Sequence, residues 1–223
     1  MDEPLADPSA VALYFVSQVA SKQVKVVLSG EGADELFGGY TSYKEPISLA
    51  AYSRLPFKFR ECVGNLAAHI PDVKGKSFLQ RAGRKLEERY IGNANIIYNQ
   101  ERKNLLKVKT NAPDTMEVTR PFFDLGKSYD ESTKMQLVDI NTWLIGDILL
   151  KADKMSMAHS LELRVPFLDK EVFKVARTVP LKYKVNNRNT KYALRLAARR
   201  DIPRESADRP KLGFPVPIRV WLR

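Results

Sequence analysis

Four glycines and three carboxylates fall within ten residues at Gly30-Glu31-Gly32-Ala33-Asp34-Glu35-Leu36-Phe37-Gly38-Gly39, directly after Ser29 and the β-branched run Val24-Lys25-Val26-Val27-Leu28. A short strand that closes on a glycine turn and opens into an acidic, then apolar, segment has the pattern of strand, tight loop and helix N-terminus. Such a turn offers unpaired backbone N–H groups, and the helix dipole adds partial positive charge at the same end, so the stretch suits an anion. Glu31, Asp34 and Glu35 would repel a phosphate, a conflict that magnesium resolves because it takes oxygen ligands from carboxylate and phosphate together. Gly30 and Gly32 are expected to admit close approach of the backbone and to take positive φ. The same residues also read as an ordinary strand-to-helix turn whose acidic first turn is solvated.

Further candidates lie on helical segments. Met135 to about Leu161 carries Leu137, Ile140, Leu144, Ile148, Leu149, Ala152 and Met155 at helical spacing, which places Asp147, Lys151 and Lys154 on one face. These three read either as an exposed ion-pair ladder or as phosphate contacts. Thr190 is expected to cap a helix running to about Arg200, with Lys191 in its first turn, where the dipole disfavours a cation unless an anion is held there. Glu162-Leu-Arg164 leads into the extended dipeptide Val165-Pro166. Asp169 reads as the N-cap of a helix over 170–178.

The stretch LSGEGADELFGGY at 28–40 resembles the second nucleotide-site motif in the synthetase domain of the glutamine-dependent asparagine synthetases, members of the ATP-pyrophosphatase superfamily. Lys151-Ala-Asp-Lys-Met-Ser-Met-Ala-His-Ser-Leu-Glu-Leu-Arg-Val-Pro-Phe-Leu-Asp169 resembles the family's KxDRxSMAxSLExRxPFLD signature. Arg209-Pro-Lys-Leu-Gly-Phe-Pro-Val-Pro217 with Trp221-Leu222 resembles its RPKxGFxxPxxxWL segment. The resemblance implies an α/β chain, mostly helical: an incomplete ATP-pyrophosphatase domain with a parallel strand followed by a helical C-terminal region. It implies ATP and Mg2+ as cofactors, and aspartate and ammonia from glutamine as substrates, joined through β-aspartyl-AMP. In the matching positions it assigns nucleotide contacts to Ser29, Gly30 and Gly32, a magnesium ligand to Asp34, and support of the intermediate and of the ammonia proton to Glu31. Lys191, within Lys191-Tyr-Ala-Leu-Arg195, takes the pyrophosphate, and Lys151 or Lys154 lies beside the phosphates. Lys154 stands where the family pattern has Arg, which keeps the charge and loses a bidentate fork.

The family's SGGxDS pyrophosphate loop is absent from the sequence, as is the cysteine at position 2 that serves its glutaminase domain. Residues 1–223 are therefore expected to be a partial synthetase domain, inactive alone, whose partners are the rest of its own chain or a homologous chain, with a homodimer possible. Related lactam-forming synthetases have Tyr in place of Glu31, so Glu31 favours asparagine. A biosynthetic-cluster amidotransferase and a non-catalytic interaction module remain the alternatives.

Composition narrows the classes further. With 44% hydrophobic residues and no apolar run near the ~20 that span a bilayer, a cytoplasmic location with no membrane contact is expected. The net charge of +11 invites nucleic acid, but the basic residues are interleaved with acids and no aromatic stacking platform accompanies them, so no nucleic-acid partner is expected. The single cysteine, Cys62, excludes an intrachain disulfide and is expected to be buried. Ser9 is expected to cap a helix over 10–20 that buries Val11, Phe15 and Val19, and the strand at 24–28 has no evident partner. Residues 41–135 read as helical scaffold without chemistry of their own, with helices expected over 58–70, 76–90 and 99–106.

Overall fold

The computed structural model describes residues 5, 7–71, 73–93, 105, 107–108, 113–211, 213, 216–217, 220 and 223. The helix expected over 99–106 and most of the Trp221-containing segment lie outside these.

The strand after the first helix does find a partner. β1 (Val26–Leu28) pairs in parallel with β2 (Glu162–Arg164), Val26 opposite Glu162 and Leu28 opposite Arg164. The ladder is extended by the Glu162 N–H donating to the Lys25 carbonyl at 2.9 Å and the Ser29 N–H donating to the Arg164 carbonyl at 2.8 Å. The pre-proline restriction that keeps residue 165 out of the helical region is what leaves this stretch extended and able to pair. The glycine loop is thus fastened at its entry to the end of the second family-like motif.

α1 (Ser9–Ala20) packs along α9 (Leu150–Met157), but not with the expected face. Phe15 and Val19 are 57% and 63% exposed, whereas Ser17 is buried and the Tyr14 ring meets the His159 ring edge-on at 4.3 Å. Ser9 is the first helical residue rather than the cap; Asp7 accepts from its N–H and its hydroxyl. Two adjacent stripes of α1 satisfy a helical period, and the contacts with α9 choose between them.

α2 (Ala33–Phe37) is a single turn bounded by left-handed glycines at both ends, Gly32 and Gly38. A 3-10 turn and α3 (Glu45–Leu49) follow, then α4 (Phe57–Ala68) and α5 (Lys76–Ala82), which lie against each other, and α6 (Leu86–Arg89). The expected continuous helix over 76–90 is broken at Gly83, where an added Cβ would come within 2.7 Å of the Arg60 carbonyl oxygen. Cys62 is exposed on α4, not buried. α7 (Thr115–Leu125) contains Pro121 and is capped by Asp114, which accepts from the Met116 N–H. The long helical pattern after Met135 resolves into α8 (Glu131–Asn141), a π-helical stretch at Leu144–Leu149, and α9. α10 (Lys170–Thr178) has the expected Asp169 cap, accepting from the Glu171 N–H at 2.8 Å. α11 (Leu181–Lys184), α12 (Tyr192–Ala198) and α13 (Arg204–Ala207) complete the described helices.

The larger core joins Tyr43, Leu86, Tyr90, Phe123, Met135, Val138 and Val185; a smaller one packs Leu36 and Phe37 of α2 against Ala176, with Phe167, Leu168 and Leu194 around them. At the edge of the larger core sits a fully buried acid. Asp139 accepts from the Tyr43 hydroxyl at 2.5 Å, from the Tyr90 hydroxyl, and from both the backbone N–H and the side-chain amide of Asn93. Burial pushes its carboxyl up to about 6, with these donors opposing the rise. A carboxyl raised above its unfolded value of ~4 binds more protons in the native state between the two values, so its contribution to stability is full at low pH and lost as pH rises through 6. Urea unfolding of the parent and of Asp139→Asn across pH 4 to 7 should show a declining component in the parent that the variant lacks.

Candidate functional site

The glycine loop is shaped by what lies against it. A Cβ on Gly32 (φ +84°) would sit 2.2 Å from Leu168 Cδ2, and one on Gly38 (φ +72°) 2.4 Å from Val185 Cγ2. Both positions therefore require glycine for conformation and for space. Gly30 has ordinary φ, contrary to expectation, and an added Cβ there would meet nothing within 4 Å. The backbone at Gly30 is open to approach while Gly32 and Gly38 are packed.

Asp34, on the single turn of α2, is the centre of the charge. Its Oδ2 lies 3.1 Å from Lys191 Nζ and its Oδ1 2.6 Å from Lys211 Nζ. A Cβ on Gly39 would fall 1.8 Å from Asp34 Oδ1 and 2.3 Å from Lys191 Cε, so a side chain there would displace Asp34 and Lys191 from their present pairing. Lys191 is not in the first turn of its helix: it is the left-handed residue before α12, φ +52°, with its N–H donating to the Gly38 carbonyl at 3.2 Å. A lysine held in this sparsely populated region is a strained position, and strain of this kind collects at functional sites. α2, at five residues, has little macrodipole to offer. The positive charge comes instead from lysine side chains.

Glu35 points the other way, into protein. It is 1% exposed; its Oε1 accepts from the Tyr40 hydroxyl at 2.7 Å, that hydroxyl accepts from Trp143 Nε1 at 3.0 Å, and the Glu35 carbonyl accepts from Gln136 Nε2 at 2.7 Å. Burial raises the carboxyl of Glu35, and burial next to that carboxyl raises the Tyr40 hydroxyl far enough to keep it a donor. Glu31 differs from both neighbours: its Oε2 is buried without a hydrogen-bond partner among the described residues. An acceptor left in that state costs free energy unless something completes it.

Of the expected site residues, the structure brings together Gly32, Asp34 and Lys191 around the loop that begins at Ser29. Lys151 is engaged elsewhere. Buried on α9, it pairs with Asp7 and lies 3.8 Å from Asp147. Burial works to raise the Asp7 carboxyl, but the hydrogen bonds from Lys151 and Ser9 prevail and hold it below its ordinary value. Lys154 is half-buried on the same helix. Lys211 and Tyr40 were not legible as site residues. Lys211 sits in a motif-like segment, but no spacing rule links it to an aspartate 177 residues away.

Among the described residues no group of three or more His, Cys, Asp or Glu side chains is placed to hold a metal ion. Asp34 alone offers one carboxylate with both oxygens facing ammonium groups. With both oxygens paired to ammonium groups, Asp34 would have to release a lysine before taking a magnesium ion, which would reach it carried by phosphate oxygens rather than in a protein cage.

The family model for asparagine synthase matches residues 1–223. Across its whole length the chain is 53% identical to an asparagine synthetase [glutamine-hydrolyzing] of Bacillus subtilis and 50% identical to a putative asparagine synthetase [glutamine-hydrolyzing] of Mycobacterium bovis, covering 35% and 34% of those proteins. A second Bacillus subtilis asparagine synthetase [glutamine-hydrolyzing] is 29% identical over 95% of the chain, which covers 29% of that protein. The chain thus spans about a third of the length of the curated relatives it matches most fully. No solved structure matches it significantly. No described helix is long and apolar enough to cross a membrane.

The Trp143–Tyr40–Glu35 chain predicts its own test. Tyr40→Phe keeps the ring and removes the donor to a buried carboxylate, a loss expected to lower stability by ~1–3 kcal/mol in equilibrium urea unfolding. Tyr129→Phe, at an exposed ring, should stay near the parent.

Proposed function

The chain belongs to the asparagine synthase family, and from that premise we propose that it forms part of a synthetase that makes asparagine from aspartate, ATP and ammonia released from glutamine. The aspartate side-chain carboxylate attacks the α-phosphate of ATP, pyrophosphate leaves, and ammonia then displaces AMP from the acyl carbon. The protein performs little covalent work in such a sequence, so positioning and charge neutralisation carry catalysis.

The observation that carries this reading is the Lys191–Asp34 pair at 3.1 Å beside the glycine loop, three residues on from Glu31, whose Oε2 is buried without a hydrogen-bond partner among the described residues. Lys191 holds the departing pyrophosphate. Ser29 and the open backbone at Gly30 face the nucleotide, with Gly32 setting the turn. Glu31 supplies a carboxylate oxygen with spare accepting capacity, suited to taking a proton from the attacking ammonia. Asp34 is the carboxylate of this chain that would hold a magnesium ion, which would supply charge neutralisation at the phosphates. Lys154 is the phosphate contact of its helix, and Lys151, already taken up by Asp7, fixes α9 against α1. The missing SGGxDS loop would bring the remaining pyrophosphate contacts, so residues 1–223 alone are not expected to turn over; aspartate-dependent pyrophosphate release by the purified chain would overturn that expectation.

Two variants test the roles. In the protein that carries this chain, Glu31→Gln should lower asparagine formation by ~10²-fold or more, the usual scale of a lost proton acceptor, with the fold unchanged by circular dichroism. Asp34→Asn should have opposite effects on pyrophosphate affinity measured by calorimetry. Without metal it removes the carboxylate competing for the lysines and binding tightens; with magnesium it removes a metal ligand and binding weakens. Weakening or tightening under both conditions would count against the assignment.

A further inference from the structure

Lys184 is a buried cation that none of the acids described above answers. It ends α11, and only 8% of it is exposed. Among the described residues its ammonium group has no hydrogen bond and no ion-pair partner; burial lowers it from the ordinary lysine value, with only the more distant charge of Asp130 opposing. Lysine is almost never enclosed to this degree unless it is paired, because an unanswered charge taken out of water costs free energy. Its stem is fixed in place, since a Cβ on Gly38 would lie 3.3 Å from Lys184 Cβ.

The residue lines a cleft of about 570 Å³ between α2, α8, α10 and α11, a volume within the range of small-molecule sites. Much of the wall is apolar, with Leu36, Leu137, Ile140, Phe173 and Leu181 in it. The two acids of the wall each have donors of their own. Asp130 caps α8, its Oδ1 accepting from the Thr133 N–H at 2.9 Å and its Oδ2 from the Thr133 hydroxyl at 2.7 Å, and Glu35 is held by Tyr40. Exposed Arg177 of α10 adds a second cation. The cleft therefore has positive charge to spare, set in hydrocarbon.

We infer that this cleft is a binding site for a small monocarboxylate with an apolar body, its carboxylate paired to Lys184 and its hydrocarbon laid against Leu137, Ile140 and Phe173. The carboxylate supplies the acceptor that the buried ammonium lacks, in surroundings where a charge-assisted bond is strong. A polyphosphate suits the cleft poorly, because one enclosed cation and one exposed one in a largely apolar wall leave its remaining oxygens unanswered. The site stands apart from the nucleotide reading: α2 contributes Glu35 and Leu36 to it rather than Asp34, and Lys191 takes no part. Through Leu36, a ligand there meets the same turn that carries Asp34.

The test is calorimetric titration of octanoate, and of its uncharged counterpart octanamide, into the protein that carries this chain and into its Lys184→Met, Lys184→Arg and Phe173→Ala variants. The inference expects octanoate to bind about tenfold or more tightly than octanamide, the scale of one charge-assisted contact. Lys184→Met should erase that preference and keep the octanamide affinity, while Lys184→Arg retains it. Phe173→Ala, at a ring 44% exposed, should weaken both ligands alike. Because methionine keeps the stem and removes an unanswered charge, Lys184→Met should also unfold at or above the parent's temperature. A marked fall would mean that the protein itself supplies a partner, and would overturn the inference. So would no octanoate binding by the parent, an undiminished preference in Lys184→Met, or inorganic phosphate binding at Lys184 as tightly as octanoate.

Discussion

A carboxylate taken out of water has to be given donors or cations, and the described structure is largely organised by how three of them meet that requirement. Asp139 gathers two tyrosine hydroxyls and Asn93, joining α8 to the segments around residues 43 and 90. Glu35 takes Tyr40, which in turn takes Trp143. Asp34, the neighbour of Glu35, takes two lysines from the C-terminal region. The first two acids are enclosed and answered by neutral donors; the third is half-exposed and answered by charge. Only the third sits where a solvent-borne anion could exchange with it.

That division follows from one short turn. Gly32 and Gly38 limit α2 to a single turn, so Asp34 and Glu35, adjacent in sequence, project to different environments. The left-handed glycines also bring Leu168 and Val185 hard against the loop, which links it to the end of the β2 segment and to the approach to α12. The loop is therefore clamped from both sides, and the positive charge beside it comes from the lysines so delivered more than from a helix dipole. Lys191, strained and tied to the Gly38 carbonyl, is the most direct expression of this arrangement.

What was legible in the sequence was local. The strand ending at Leu28, the helix read over 58–70 and found over 57–68, the Asp169 cap and the helical run after Met135 all rest on periodicity, proline restriction or side-chain capping within a few residues, and the structure has each of them. Glu31, Asp34 and Lys191 were identified because their residue types stand in long motif-like stretches. The pairing of β1 with β2, the face that α1 buries, the exposure of Cys62, the left-handed state of Lys191, the diversion of Lys151 to Asp7 and the arrival of Lys211 at Asp34 were decided by tertiary structure alone. Each depends on contacts between segments far apart in the chain, whose energies no local pattern encodes: the sequence by itself determined which groups were available, and packing determined which of them meet.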